Sequence, residues 1–356
     1  MAGITITANS GTQFEAGGAE WNSVARLDDN TFVIAYADSN DLNYGKVVVG
    51  TRNGTTITMG SILNFHEGTT KFIEVVALTS SLIVISYEDK DNGDPKVIAG
   101  TISGTTITLG SEVAVVATTL AYGVTLAKIT STTFVVLFGN GVDLHCYVGS
   151  VSGTTITMGS VQSQLNIGAL TCKSVGLANS CLIVAYQQYT TNDLEVIAGK
   201  VDVGVKTISF GAVNQISSID AVPSGIAAFG DSMACVLTFF EAGTADVFAV
   251  AVVTDPTTLA TTEGSEVAVF ADIFSSDVNS TDVCSIISTN STQFAVVGYD
   301  TTNSILKVRA GNLTSSTVLT LDAQGAVNFQ TVQGVVPYVS ICNLGSVAFI
   351  IAYKKD

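Results

Sequence analysis

The octapeptide Gly-Thr-Thr-Ile-Thr-x-Gly-Ser occurs three times, at Gly54–Ser61, Gly104–Ser111 and Gly153–Ser160. Each copy opens on glycine and then alternates threonine with an apolar residue, a pattern typical of a β-strand that follows a tight turn. The copies recur at intervals of about fifty residues, which is the spacing of a repeat architecture. The octapeptide therefore predicts a protein assembled from repeated β-units.

A second repeat supports the same units independently. It is a small apolar cluster that ends in an aromatic residue, and it recurs about every fifty residues along the whole chain. The seven aromatic residues that end these clusters are Tyr36, Tyr87, Phe138, Tyr186, Phe239, Tyr299 and Tyr353. Seven copies predict seven units.

Each unit is predicted to contain four strands, named A to D in chain order. In the first unit, strand A is Trp21–Leu27, strand B is Thr31–Ala37, strand C is Lys46–Arg52 and strand D is Thr55–Leu63. Strand B is apolar at consecutive positions, as expected for a strand covered on both faces. Since solenoid rungs are shorter and sandwich domains longer, the pattern predicts an all-β fold, a seven-bladed β-propeller formed by residues 1–356 as a single domain.

The two chain ends share the closing blade in this prediction. Residues Gly3–Ser10 align with Gly54–Ser61 and supply a strand D, while Pro337–Leu344 and Val347–Tyr353 supply strands A and B. The N-terminal strand then completes the closing blade and removes a free sheet edge. No strand C is assigned to this blade, so we expect either three strands or a strand donated by a partner chain.

Composition narrows the classes of partner. The chain has 356 residues and a formal net charge of −16, with 14 basic residues scattered along it. Nucleic acids require clustered lysine and arginine, and no apolar run is long enough to span a bilayer, so neither nucleic acid nor membrane insertion is expected. The six cysteines show no paired spacing, and the first residues do not resemble a Sec signal. These features predict buried thiols and synthesis in a reducing cytoplasm.

Propeller geometry places the D–A and B–C connections on one face, called here the B–C face. The B–C loops are longer and more polar than the A–B and C–D turns, and loops on a rigid scaffold commonly bind ligands. The candidate ligand- or partner-binding residues are therefore Asp38, Asp41, Asn43, Asp89, Asp91, Asn92, Asp94, Asp143, Asn192, Asp193, Asp300 and Asn303.

One of these loops has the composition of a cation site. Asp89, Asp91 and Asp94 stand around Gly93 and could offer several oxygens to Ca²⁺ from one tight turn. Turn chemistry selects the same residue types without any ion, and the acidic alternation does not recur in other blades. We expect weak Ca²⁺ binding at most, and no other cofactor.

Strand A is predicted to line the central channel. Ser23, Glu74, Thr125 and Ser174 occupy equivalent positions there, and Glu74 is the one ionisable residue among them. Glycosidases need paired carboxylates, so the pattern favours a polar channel without enzymatic activity. The sole tryptophan, Trp21, is interpreted as an inter-blade core residue.

The two histidines do not indicate a metal site. His66 and His145 fall in different units, whereas a zinc site built on histidine would need both residues together with further ligands. A packed His145 beside Cys146 is favoured over a ligand pair.

The repeat also resembles a known group of proteins. An aromatic-ended strand B followed by Gly-Thr-Ile-Ser-Gly-Thr-Thr-Ile-Thr-Leu-Gly-Ser at Gly100–Ser111 resembles propeller repeats of bacteriophage tail, fibre and decoration proteins and of bacterial surface proteins. The resemblance implies a non-enzymatic binding role on a virion or an extracellular surface, in host attachment or between structural proteins. Its implied partners are other virion or surface proteins and a host glycan. The alternatives are a carbohydrate-binding, lectin-type propeller and a hydrolase with an acid at the channel mouth.

Overall fold

Antiparallel sheets form a closed ring around a central channel. The computed structural model describes residues 11–16, 18–116, 121–159, 163–165, 168–241, 244, 246–271, 284–301, 303–315, 317–323, 325–331, 338–345 and 348–354. Six sheets run A-B-C-D from the channel outward, as blades of a β-propeller do, and one further sheet has two strands. The first strands of neighbouring sheets contact one another in order, and the last contacts the first.

The first three blades have the following strands. Blade 1 contains β1 (Ala19–Arg26), β2 (Thr31–Asp38), β3 (Tyr44–Asn53), β4 (Thr56–Met59) and β5 (Leu63–His66). Blade 2 contains β6 (Thr70–Thr79), β7 (Leu82–Asp89), β8 (Asp94–Ser103), β9 (Thr106–Leu109) and β10 (Val113–Ala114). Blade 3 contains β11 (Tyr122–Lys128), β12 (Thr133–Gly139), β13 (Leu144–Ser152), β14 (Thr155–Met158) and β15 (Ser163–Leu165).

The remaining sheets complete the ring. Blade 4 contains β16 (Ala169–Gly176), a 3-10 turn at Ala178–Ser180, β17 (Cys181–Gln188), β18 (Leu194–Asp202) and β19 (Thr207–Ser217). Blade 5 contains β20 (Ala221–Ala228), β21 (Ala234–Glu241), β22 (Val247–Thr254), β23 (Thr261–Glu263) and β24 (Val267–Phe270). Blade 6 contains β25 (Cys284–Ser288), β26 (Gln293–Asp300), β27 (Ile305–Leu313), β28 (Leu319–Leu321) and β29 (Val327–Thr331). The two-stranded sheet contains β30 (Val339–Leu344) and β31 (Ala348–Tyr353).

The number of blades corrects the prediction: the described residues form six complete blades, not seven. The aromatic repeat marks strand B alone, and its seventh copy lies in the two-stranded sheet, for which no strand C or D is described. Strands β30 and β31 correspond to the predicted strands A and B of the closing blade. The predicted N-terminal strand Gly3–Ser10 lies outside the described residues.

Strand D also differs from its prediction. Instead of one strand over Thr55–Leu63, blade 1 has the short strands β4 and β5, both paired with β3. Between them the N–H of Gly60 donates to the carbonyl of Val49 at 2.8 Å. Blade 4 keeps strand D in one piece, as β19.

The hydrophobic core lies between the sheets. Seven clusters of buried side chains each join two neighbouring sheets, and the cluster of Val24, Ile34 and Leu344 closes the ring between the two-stranded sheet and blade 1. Strand B is buried along nearly its whole length in all six blades. This confirms the prediction of a strand covered on both faces.

The cysteines belong to this core. All six are free and buried, and burial raises the pKa of the thiols of Cys172, Cys235, Cys284 and Cys342 to about 12. The prediction of buried thiols is confirmed. The described residues include no helix of the length and hydropathy needed to cross a bilayer.

Candidate functional site

Three of the predicted B–C loop residues are buried carboxylates at the last position of strand B. Each forms an ion pair with a lysine near the start of strand C. The pairs are Asp38 with Lys46 at 2.6 Å, Asp89 with Lys96 at 2.7 Å and Asp300 with Lys307 at 2.6 Å. The carboxylates also accept hydrogen bonds from the loops that follow them. These contacts hold the loops in shape.

We expect acid to weaken these loop supports. Burial alone would raise the pKa of Asp300, but hydrogen bonds from Lys307 and Asn303 reverse the shift, so the pKa of this carboxyl lies below its ordinary value. A group with a lowered folded-state pKa stabilises the fold above its unfolded-state pKa and loses that contribution as pH falls. The free energy of unfolding should therefore decrease between about pH 5 and pH 3.

Denaturant titrations at a series of pH values measure this effect. Asp300→Asn should flatten the pH dependence, whereas Glu67→Gln at an exposed site should leave it unchanged. Equal profiles for wild type and Asp300→Asn would contradict this role.

The other predicted loop residues are distributed around the face and are not gathered into one site. Asp41 lies 3.0 Å from Lys46, Asn92 and Asn303 donate side-chain hydrogen bonds to Asp89 and Asp300, and Asp91 accepts one from the N–H of Thr69. Asn43 and Asn192 have positive φ angles, of 58° and 61°. Asp94, Asp143 and Asp193 lie at the ends of the same B–C connections.

The candidate Ca²⁺ loop is held by protein contacts. The Oδ2 atom of Asp89 pairs with Lys96, and Oδ1 lies 3.5 Å from Nε2 of His66. In the described parts of the chain, no three His, Cys, Asp or Glu side chains are grouped so that they could hold a metal ion. The geometry thus favours the turn interpretation of Asp89, Asp91 and Asp94.

The histidines have protein partners as well. His66 Nδ1 lies 2.7 Å from Oε1 of Glu112, in a neighbouring blade. His145 Nε2 lies 2.9 Å from Nδ2 of Asn140, and its ring stacks on Phe138 with 4.9 Å between centroids. Burial lowers the pKa of His145. A packed His145 is therefore favoured, as the sequence indicates.

A cavity of about 220 Å³ lies in the central channel. Strand A of all seven sheets lines it, through residues such as Trp21, Glu74, Lys173, Ser285 and Ser340. Its lining begins near the start of strand A, which pairs with the end of strand B. Among the lining residues of β1, Trp21 therefore lies nearest the B–C face.

In each of the seven sheets, one residue of strand A pairs with the strand-B residue that comes directly before the aromatic residue of the repeat. We call these seven strand-A residues the inner ring. The inner ring consists of Ser23, Glu74, Thr125, Lys173, Gly225, Cys284 and Ser340. This corrects the predicted set, which had Ser174 at this position. Ser23 pairs with Ala35 in blade 1, and in blade 4 it is Lys173 that pairs with the equivalent Ala185. The ring thus holds an ammonium group as well as the Glu74 carboxylate.

Side chains of the inner ring join neighbouring sheets. Four of them accept a hydrogen bond from a backbone N–H of the next sheet. The bonds run from Val24 to Ser340 Oγ at 3.1 Å, from Val75 to Ser23 Oγ at 3.1 Å, from Leu126 to Glu74 Oε2 at 2.9 Å and from Ser174 to Thr125 Oγ1 at 3.1 Å. The polar residues predicted along strand A therefore hold the ring together as well as lining the cavity.

In three successive sheets, the strand-A residue two positions before the inner-ring residue is aromatic. These residues are Tyr338, Trp21 and Phe72. The centroid of the Trp21 ring lies 4.8 Å from that of Tyr338 and 4.7 Å from that of Phe72, and all three are half-buried. We call these residues the aromatic arc. The corresponding residues of blades 3, 4 and 5 are Gly123, Thr171 and Pro223, so the arc covers one side of the mouth.

The backbone of the aromatic arc is unusual. Trp21 has a φ of 51° and Phe72 a φ of 49°, at irregularities in the pairing of strands A and B. A positive φ is unfavourable for a bulky side chain, and such conformations cluster at functional sites. The equivalent residue of blade 3 is glycine, with a φ of 62°, which adopts this conformation without a steric penalty.

The sequence alone indicated Trp21 as a core residue and left Phe72 and Tyr338 unnoticed. The core interpretation is confirmed in part, because Trp21 packs against the cluster between blades 1 and 2 while also lining the cavity. The signal that was available is the interval from Trp21 to Phe72, which matches the interval from Tyr36 to Tyr87.

Comparisons with known proteins identify the fold. The scan against protein-family models and the search of curated proteins gave no match. The BP39L lectin from Burkholderia pseudomallei has a TM-score of 0.61 at 10% identity, covering 95% of this chain and 96% of its own. The fucose-specific lectin from Aleuria aurantia has a TM-score of 0.53 at 10% identity, covering 86% and 96%. A protein from Lactobacillus plantarum has 0.58 at 13%, covering 87% and 85%.

At these identities the similarity shows the β-propeller fold alone. A protein named for an enzymatic activity shares the fold at a TM-score of 0.55 and 10% identity, so the fold does not decide between binding and catalysis. None of these comparisons supports the phage or surface-protein resemblance of the repeat. The chain is therefore a β-propeller whose solved structural neighbours include lectins.

Proposed function

We propose that this protein is a carbohydrate-binding propeller that holds a sugar at the B–C end of its central channel. The observation that carries the proposal is the aromatic arc beside a polar inner ring. The apolar C–H faces of a sugar ring pack on aromatic faces, whose π-electrons make them electronegative, while sugar hydroxyls need polar partners. Aromatic walls with a few placed polar groups are typical of small-ligand sites.

Binding is favoured over catalysis at this site. Among the described residues that line the cavity, Glu74 is the one acid, and its Oε2 atom accepts the N–H of Leu126. Glycoside hydrolysis by the usual route needs two carboxylates across the scissile bond. Lectins are among the solved structures that share this fold, but the choice of binding rests on the residues of the cavity. A virion or surface partner rests on the repeat resemblance alone.

A glycan array compared across three variants tests the proposal. Trp21→Ala should reduce binding at least tenfold, and Trp21→Phe should keep most of it because a stacking ring remains. Tyr189→Ala is the matched control, since Tyr189 is exposed on the same face but lies outside the cavity lining. Thermal unfolding confirms that each variant is folded.

The variant series locates any binding. Loss in Tyr189→Ala with binding retained in Trp21→Ala would move the site from the channel mouth to the loop tips. A wild-type protein that binds no glycan on the array would refute the proposed function.

We also propose that Phe14 helps to close the ring between the two-stranded sheet and blade 1. Phe65 of strand D in blade 1 packs on Tyr87 of blade 2 with 5.1 Å between ring centroids. Phe14 packs on Tyr36 of blade 1 in the same way, at 5.2 Å. Phe14 contacts Tyr36 as Phe65 contacts Tyr87. Phe14 is therefore equivalent to a strand-D aromatic residue of the sheet that precedes blade 1 in the ring, which is the two-stranded sheet.

Phe14→Ala tests this closure. The free energy of unfolding should fall by about 2 kcal/mol, because the ring of Phe14 packs on Tyr36 and covers the core between the two-stranded sheet and blade 1. Gln13→Ala at the neighbouring exposed position serves as the control, and denaturant titration measures both. Equal stability of Phe14→Ala and wild type would rule out the closure.

A further inference from the structure

Three large apolar side chains are exposed on neighbouring loops of the B–C face. Val142 lies in the B–C loop of blade 3, Tyr189 lies in that of blade 4, and Ile219 lies in the connection from blade 4 to blade 5. More than half of each of these residues is exposed. We call them the apolar patch. The lining of the channel cavity includes none of the three, so the apolar patch is separate from the aromatic arc.

Backbone hydrogen bonds hold the loops of the apolar patch against one another. The N–H of Gly168 donates to the carbonyl of Val142 at 2.8 Å, and the N–H of Tyr189 donates to the carbonyl of Gly168 at 2.7 Å. In the same loop as Tyr189, the carbonyl of Asn192 accepts a hydrogen bond from the N–H of Ala221 at 3.1 Å, which places the connection between blades 4 and 5 beside this loop. The exposed side chains therefore belong to one surface. Isolated exposed apolar residues need no explanation, whereas a group of them marks an interaction site.

Charge differs between the two sides of the B–C face. In blades 1, 2 and 6, a lysine of strand C neutralises the carboxylate at the end of strand B. The loops that carry the apolar patch contain no lysine or arginine in residues 139–143, 187–193 and 217–221. Their acidic residues, called here the acidic rim, are Asp143, Asp193 and Asp220. In blade 4, moreover, Glu195 pairs with the strand-B tyrosine, where blades 1 and 2 have a lysine. The apolar patch is thus bordered by negative charge.

The chemistry of the apolar patch selects the class of partner. The side chains of Val142 and Ile219 are aliphatic and offer a sugar ring neither an aromatic face nor a hydrogen bond. Apolar side chains with a polar border are typical of the centre of a protein interface. The acidic rim attracts a positively charged partner and repels a negatively charged one. A second copy of this chain, with its formal net charge of −16, does not meet that requirement.

We propose that the apolar patch binds a segment of another protein in which apolar side chains stand beside lysine or arginine. The apolar side chains of the segment pack on Val142, Tyr189 and Ile219, and its basic groups lie against the acidic rim. This interaction does not depend on the proposed sugar site, because the aromatic arc belongs to the two-stranded sheet and blades 1 and 2. One face of the propeller would then hold a glycan and a protein at separate places.

Fluorescence anisotropy tests the proposal with a labelled peptide that alternates leucine with lysine as the probe. Wild type should bind this peptide at least about tenfold more tightly than peptides that alternate leucine with glutamate or serine with lysine. The double variant Val142→Ser/Ile219→Ser should bind it about tenfold more weakly than wild type, equivalent to about 1.4 kcal/mol. The matched control is Val205→Ser/Val318→Ser, at C–D turns of the opposite face, because the exposures of 68% and 48% are close to the 67% and 53% of the test pair.

A charge variant tests the acidic rim. Asp220→Asn should weaken binding of the leucine–lysine peptide roughly threefold at low salt. Glu67→Gln removes an equally exposed class of charge from another D–A connection of the same face and should leave the affinity unchanged. Equal effects of the two substitutions would mean that the net charge of the whole chain attracts the peptide, which would overturn a role for the acidic rim.

Three other results would overturn the proposal. One is a wild-type protein that binds the leucine–lysine peptide no better than the two comparison peptides. Another is equal affinity of the two double variants for this peptide. The third is a wild-type dimer in sedimentation velocity that becomes a monomer in Val142→Ser/Ile219→Ser, because the apolar patch would then bind a second copy of this chain.

Discussion

Replacement of Gly110 by alanine is expected to lower the free energy of unfolding by about 3 kcal/mol. A Cβ atom at Gly110 would lie 2.2 Å from the carbonyl oxygen of Thr154, in the next blade. Because two atoms cannot approach so closely, the backbone at Gly110 or at Thr154 would have to shift, and the contact between the outer strands of the two blades would be disturbed. Denaturant titration of the variant measures the loss.

Gly104→Ala in the same octapeptide is the matched control. A Cβ atom there meets nothing within 4 Å, but the φ of Gly104 is 60°, so alanine costs about 1 kcal/mol from backbone strain alone. If the two substitutions lowered the free energy of unfolding equally, backbone strain would be the reason why glycine is required at Gly110, and the close approach of the neighbouring blade would not.

This contact also gives a physical reason for the repeated octapeptide. The glycine near the end of each octapeptide, and the glycine at the equivalent position in blades 4 and 5, lies against the C–D turn of the following blade. The distances below are from a Cβ atom placed on the glycine to the carbonyl oxygen that faces it. The pairs are Gly60–Thr105 at 2.9 Å, Gly110–Thr154 at 2.2 Å, Gly159–Lys206 at 2.8 Å, Gly211–Leu259 at 2.4 Å and Gly264–Thr317 at 1.7 Å. The octapeptide thus encodes a rim contact as well as a strand.

The second large effect is expected at Phe134, whose replacement by alanine should cost about 4 kcal/mol. Phe134 is fully buried and faces Gly149 across strands B and C. A Cβ atom on Gly149 would lie 2.3 Å from the phenylalanine ring. The ring therefore fills the space that the glycine leaves open.

A double-mutant cycle tests this complementarity. Gly149→Ala should destabilise the wild type because its methyl group meets the ring of Phe134. In the Phe134→Ala background the same substitution should be stabilising by roughly 0.5–1 kcal/mol, since alanine is favoured over glycine within a strand. Additive effects in the cycle would show that the two residues are independent.

Much of the fold could be predicted because its determinants are local. The alternation in Gly104–Ser111 and the continuous apolar stretch before Tyr36 specify strands with one or two covered faces. Both segments form strands, at Thr106–Leu109 and Thr31–Asp38, although strand D is shorter than predicted. The number of complete blades could not be read in this way. Strand B carries the repeat signal, while completion of a blade depends on which strands C and D pair with it.

The site was less predictable because it depends on pairing between strands. Lys173 enters the inner ring through its register with Ala185, although Ser174 has the expected residue type. Asp89 looked like a ligand by composition, but its partner Lys96 becomes a neighbour only when β7 and β8 pair. Trp21, Phe72 and Tyr338 meet across three sheets, far apart in the chain.

The sole tryptophan allows the central claim to be measured directly. Trp21 belongs to the aromatic arc, so selective excitation of tryptophan reports on the channel mouth and on no other part of the chain. Titration with a glycan that the protein binds should shift or quench Trp21 emission, with a midpoint equal to the Kd from calorimetry. Saturating binding by calorimetry with unchanged Trp21 emission would place the sugar elsewhere and contradict the account.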